Sequence, residues 1–348
     1  MERSAEIELV AWRSARLNGR THLPARRFVG MIIGCAFLSA TLASWLPLQF
    51  STITVFLFAG PHNWFELRYF LMRLPVRFGR SRNFFLVAFA GIGFLTLTYL
   101  SLPALYYTNY WSGANWPTAL ALWNTLLLLW IAGLVWLRGR QRARRDWRDW
   151  FWAWPAAFAL SGLNWLAPEL FSLAIVYLHP LVALWFLDRH LRRTRPEWLP
   201  AYHRCLLLLP LLVVGLCWQF ARAPSLADDN GLAWRITQHA GASLLSGVSS
   251  HLLVSVHVFL EMLHYGVWLV ALPLIGARGS IWDLKTIPMA RHPRGVPKLI
   301  AAALIVSLSL VLLLWFGFSI DYAATRDIYF AVAIAHVLAE APFLLRMT

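Results

Sequence analysis

Residues 249–275 read SSHLLVSVHVFLEMLHYGVWLVALPLI, an apolar run interrupted by one acid, Glu261, and by no Lys or Arg. About 20 such residues are enough to bridge the hydrocarbon core of a bilayer as a helix, so this stretch predicts a membrane span. Within it, His257, Glu261 and His264 fall at relative helical angles of about 0°, 40° and −20°, which is one narrow stripe. Ionisable groups at bilayer depth are costly, and by default they indicate function.

The rest of the chain has the same character. Of 348 residues, 59% are hydrophobic and 14% charged, with 20 Trp and a mean hydropathy of +0.57. That composition excludes a soluble globular domain and predicts an all-α, polytopic transmembrane bundle. Spans are expected at 28–47, 52–72, 84–106, 117–137, 149–167, 170–187, 205–221, 249–275, 298–319 and 327–345. That makes about ten, or eight to nine if the short fifth and seventh do not cross. With no internal repeat and no linker, 28–348 reads as one transmembrane domain. Residues 1–27 lack a signal-peptide pattern and read as a cytoplasmic segment, with an interfacial amphipathic helix over 4–17.

The net charge of +15 would suit nucleic acid if it were spread over the chain, but it is concentrated in alternate connectors. Arg73 to Arg82, Arg138 to Arg148, Arg189 to Arg204 and Arg278 to Lys298 hold most of it. The connectors between these clusters carry only Arg222, Arg235 and Arg326. This alternation is the positive-inside pattern, with both termini cytoplasmic in a bacterial-type inner membrane. It requires no nucleic acid and implies a weak attraction to anionic lipid headgroups. Cys35, Cys205 and Cys217 have no paired spacing and read as buried core thiols, not a disulfide or zinc framework. Residues 222–248 suggest a re-entrant half-helix or a short helix at the interface.

Three times a histidine precedes a glutamate by one helical turn inside an apolar run: His62 and Glu66, His257 and Glu261, His336 and Glu340. A local hydrogen bond explains one such pair easily and three poorly. His179, beside Pro180, is a fourth intramembrane histidine. Spans two, six, eight and ten run the same way, so His62, His179, His257 and His336 are expected in one layer about eight to ten residues deep. Glu66, Glu261 and Glu340 would lie a turn further in, with His264 near them. Glu261-Met-Leu-His264 also has the Glu-x-x-His spacing by which carboxylate-bridged di-iron proteins present two ligands from one helix. Eight ligands exceed one tetrahedral zinc and suit a two-metal site, with Glu261 as the bridging, catalytic carboxylate. A b-type haem on His62 or His179 is an alternative cofactor. His22, His190, His203, His239 and His292 fall in loops or at span ends. Arg68 reads as snorkelling to the headgroups.

In organisation, the short His/carboxylate motifs on spans two, eight and ten resemble polytopic metal-dependent oxygenases such as the bacterial membrane carotene dioxygenases. The resemblance is one of type. The dense His-x-x-His boxes of fatty-acid desaturases are missing, and the histidine motifs of the carotene-cleaving enzymes do not align. What it implies is oxidation of a lipid, isoprenoid or carotenoid, with membrane lipids and an electron-donor protein as partners. The competing readings are an intramembrane zinc hydrolase, and a proton or metal-ion transporter using the same His/Glu layer.

Overall fold

A backbone in hydrocarbon must satisfy its own N–H and C=O groups, and the helix does this locally. In the computed structural model, which describes residues 25–107, 115–141, 150–227, 231–276, 282–293 and 295–347, every long apolar run is helical. The helices are α1 (Ala25–Trp45), α2 (Pro47–Arg73), α3 (Arg82–Tyr107), α4 (Trp116–Gln141), α5 (Ala153–Leu166), α6 (Pro168–Thr194) and α7 (Leu199–Phe220). There follow α8 (Gly231–His239), α9 (Ser250–Gly266), α10 (Pro297–Ile320) and α11 (Tyr322–Met347). α9 runs on through a π-helical turn at Val267–Ala271 into Leu272–Gly276. The expected helix at 4–17 lies outside the described residues.

Eight of these helices are long and apolar enough to cross a membrane, so the chain is an all-helical, multi-pass membrane protein. The two expected spans not among them differ in kind. α5 has 14 residues, about 21 Å of rise against about 30 Å of hydrocarbon. α2 has 27 residues but carries His62, Asn63, Glu66 and Arg68. Helix α10 faces lipid, with Leu299, Ile305, Leu310, Leu313 and Phe316 all exposed. The described part of the connector at 222–248 forms the short helix α8 and a series of turns. Of the three cysteines expected in the core only Cys205 is buried, Cys35 and Cys217 lying on exposed helix faces.

Helices α2, α6, α9 and α11 make a parallel core. Their C-terminal halves meet in one cluster that includes Tyr69, Phe70, Phe186, Trp268, Phe343 and Met347, joined by Phe28 of α1. Arg73 contacts His190 there at 2.8 Å, and Arg193 donates to the Met347 carbonyl. At the opposite end, Tyr322 of α11 donates to the Thr52 carbonyl of α2, and Tyr177 of α6 to the Leu253 carbonyl of α9.

Tryptophans pin neighbouring helices. The Trp64 indole donates to Leu304, Trp123 to Leu95, Trp130 to Val87 and Trp315 to Phe56, each to a carbonyl of another helix. Gly91 makes room for one of them, since a Cβ there would overlap the Trp130 indole. Asn124 and Asn164 bond each other at 2.8 Å and hold α5 against α4. Such interhelical bonds contribute about 0.6–2 kcal/mol each.

The turn after α8 depends on Gly241, whose φ is +93° and where a Cβ would lie 2.5 Å from Leu173 Cδ2. Gly241→Ala should therefore destabilise the fold by more than about 1 kcal/mol. Gly133→Ala, with open space around it, should be neutral or mildly stabilising. Melting of both variants in detergent, followed by tryptophan fluorescence, checks this; equal melting temperatures would show the turn to be unstrained.

Candidate metal centre

Halfway along the four core helices, four imidazoles close a ring. The centroids of His62 and His264 lie 5.2 Å apart, those of His264 and His179 4.7 Å, and those of His179 and His336 5.2 Å. His336 and His62, at 5.2 Å, complete it. Glu66 and Glu340 project from the next turn of α2 and α11. One donor atom from each of His62, Glu66, His264 and His336 lies within 4.8 Å of the others, and the same holds for His179, His264 and Glu340. His264 belongs to both groups.

These donors lack partners. Ten of the nineteen buried side-chain N and O atoms without a hydrogen bond, among the described residues, belong to these six side chains. Leaving a buried polar group unsatisfied costs about 1–3 kcal/mol, and more for a charged one. Two local details bear on what would satisfy them. His62 Nδ1 lies 3.0 Å from the Phe58 carbonyl, which can only accept. Its Nδ1 therefore carries the hydrogen, and the lone pair on Nε2 is left free within the cluster, the arrangement usual for a metal-bound histidine. His179 Nδ1 and Glu340 Oε2 pair with each other at 3.0 Å. Two ligands each about 2.1 Å from one ion, at right angles, lie about 3 Å apart. The donor set therefore fits a cation, and the cluster is large enough for two.

The structure gathers six of the eight expected ligands and sets two apart. His257 and Glu261 sit together, 3.6 Å from Nδ1 to Oε2, with the His257 ring against Tyr177 and His239. Glu261 belongs to neither donor group, so the structure does not place it between the ligands as the expected bridging carboxylate; the residue the two groups share is His264. The reason is one of depth. α2 begins at Pro47 and α11 at Tyr322, each five residues before the expected start. That moves His62 and His336 about 7.5 Å deeper, level with His264 instead of His257. The helix-breaking prolines Pro61, Pro180 and Pro342 all lie within these ligand helices.

A cavity of about 580 Å³ reaches the cluster and has His62, His179, His264 and His336 in its wall. It extends to the surface at the exposed residues Trp234 and Asp327, where Asp327 pairs with Arg235. One wall is apolar, formed by Leu102, Leu120, Ile175, Ile334 and Val337. The other is polar, with His239, His257, Glu261, Tyr265 and Arg326. His239, Tyr265 and Arg326 carried no signal in the sequence as site residues. His239 and Arg326 lie at span ends, where the residue pattern suggests solvent, and only the folding of α8 across the core turns His239 inward. Arg68 lies elsewhere, donating to Thr286. His251 is removed as well, stacked on Phe220 near the end of α1.

Fold and site together define a multi-pass helical membrane protein with a buried histidine–carboxylate cluster at the base of a cavity. No known protein family, curated protein or solved structure matches the chain.

Glu340→Gln removes a charge while keeping shape. In metal-stripped protein this variant should be at least as stable as the wild type. In protein isolated without chelator it should be less stable, by about 1–3 kcal/mol. Melting curves with and without chelator read the difference, and an identical change in both would argue against a cation at the cluster.

Proposed function

We propose that the cluster holds two first-row transition ions, iron in the first instance, and that the protein oxidises a lipophilic substrate in the adjoining cavity. The supporting observation is that most donor atoms of the six side chains have no hydrogen-bond partner in the protein, the His179–Glu340 pair apart, and that they fall into two donor groups. His62, Glu66 and His336 would hold one ion and His179 and Glu340 the other, with His264 placed to complete either set through its one free nitrogen. A single zinc ion suits His62, Glu66, His264 and His336 but leaves His179 and Glu340 without a role. A b-type haem would use only two of these imidazoles and leave the carboxylates without a role.

When bound, a di-iron pair would supply dioxygen activation. The chain's own part is positioning and exclusion. The four helices fix the ligands, and the Phe58 carbonyl sets the tautomer of His62. The ring of Tyr265, 4.6 Å from that of His62, closes one side of the cluster to water. The apolar wall holds a hydrocarbon beside the imidazoles. By the positive-inside rule the end bearing Arg73 and Arg193 faces the cytoplasm, with the chain termini on that side and the cavity mouth on the other. A bacterial inner membrane suits this arrangement.

Elemental analysis of detergent-purified protein should give about two irons per chain. His264→Ala should lose at least one, whereas His257→Ala and Glu261→Ala should keep both, because those side chains stand outside the two donor groups. One zinc per chain would move the reading to a hydrolase. A folded preparation without metal would favour proton or ion transport and sink the oxidase reading.

A further inference from the structure

The lining of the cavity contains a buried charge with no ion-pair partner within 4 Å among the described residues. Arg326, in the first turns of α11, is 3% exposed and lines the cavity. Its Nε has no hydrogen-bond partner. The adjacent acid, Asp327, is taken by Arg235. Glu261, whose charge Arg326 feels, also lines the cavity but makes no ion pair with it, its near partner being His257. The guanidinium lies over the Phe330 ring, its carbon 4.6 Å from the centroid, and Phe330 lines the same cavity. A buried guanidinium held in this way is costly unless an anion meets it. The group that matches its planar fork is a carboxylate, bound through two parallel N–H···O bonds.

The same cavity is lined by the apolar Leu102, Leu120, Ile175, Ile334 and Val337, of which Ile334 and Val337 flank His336 on α11. Arg326 and His336 are ten residues apart on one helix, about 15 Å along its axis. Charge at one end, an apolar wall and the cluster at the other define an amphiphile of set polarity. We propose that the cavity binds a long-chain carboxylic acid, with its carboxylate on Arg326 and its chain along the apolar wall. The carbon presented to the cluster would then lie about 15 Å from the carboxylate. This deepens the proposed oxidation by naming its substrate class, and it rests on that reading only for the chemistry, not for the binding.

The test therefore reads binding. A fluorescent polyene fatty acid is titrated into full-length protein in neutral detergent, and displaced by hexadecanoic acid, by hexadecanol or by acetate, with iron measured on every sample. The acid should displace the probe at least about tenfold more tightly than the alcohol, as expected for hydrogen bonds to a charged group. Acetate at the same concentration should leave the probe in place. Arg326→Gln should abolish the preference for acid over alcohol while alcohol affinity and metal content stay unchanged, and Arg326→Lys should retain part of it. Equal binding of acid and alcohol to the wild type, which needs no variant to interpret, would overturn the proposal. So would a Gln variant that keeps the preference, or acetate competing as well as the long chain. Loss of metal from the wild type with the acid preference intact would sink the oxidation reading alone.

Discussion

The constraint on which this structure depends is the cost of an unsatisfied polar group where there is no water. Along the backbone it is met by helices and, between helices, by donors that reach a neighbouring carbonyl, as Trp64, Trp123, Trp130 and Trp315 do. Asn124 and Asn164 meet it by bonding each other and the surrounding helices. The same rule makes the exception conspicuous. Six ionisable side chains at the centre of the core meet one another and leave most of their donor atoms without partners.

Such a cluster does not arise from helix packing alone, because van der Waals contact between apolar faces would serve the core as well at lower cost. The surrounding structure instead works to hold it. Tyr177 bonds two carbonyls, of Ala240 and Leu253, tying α6 to α9 and to the turn after α8. Below the cluster, Phe70 stacks on Phe343 at 4.3 Å, and Trp268 packs against Tyr69, Phe70 and Phe186. This aromatic floor separates the cluster from the basic end of the bundle. Above it the cavity extends to Trp234 and Asp327. The cluster thus has a rigid base and an approach from one side, the arrangement needed to bring a substrate to a fixed group of ligands.

The identity of the core helices and their shared direction were legible in the residues, because charge in the connectors sets orientation and the His/Glu pairs mark which helices face inward. Depth was less legible. Hydropathy fades gradually at Pro47 and Tyr322, and an error of five residues along a helix moved the expected partner of His62 from His264 to His257. Glu261 looked central because it has a histidine on each side in sequence. In space its own histidine, His257, turns with it toward Tyr177 and His239, away from the ring.

The amino-acid sequence by itself determined that the chain is helical and membrane-embedded and which helices carry the ionisable groups, since composition, length and periodicity act within each segment. It also fixed the ligand residue types available. Which of those residues meet was decided only by the tertiary structure, because registration between helices depends on where each one starts and on packing contacts far apart in the chain. The cavity belongs to that second category too. His239, Tyr265 and Arg326 become part of one site only when α8 folds across the ends of α9 and α11, a contact that no local pattern encodes.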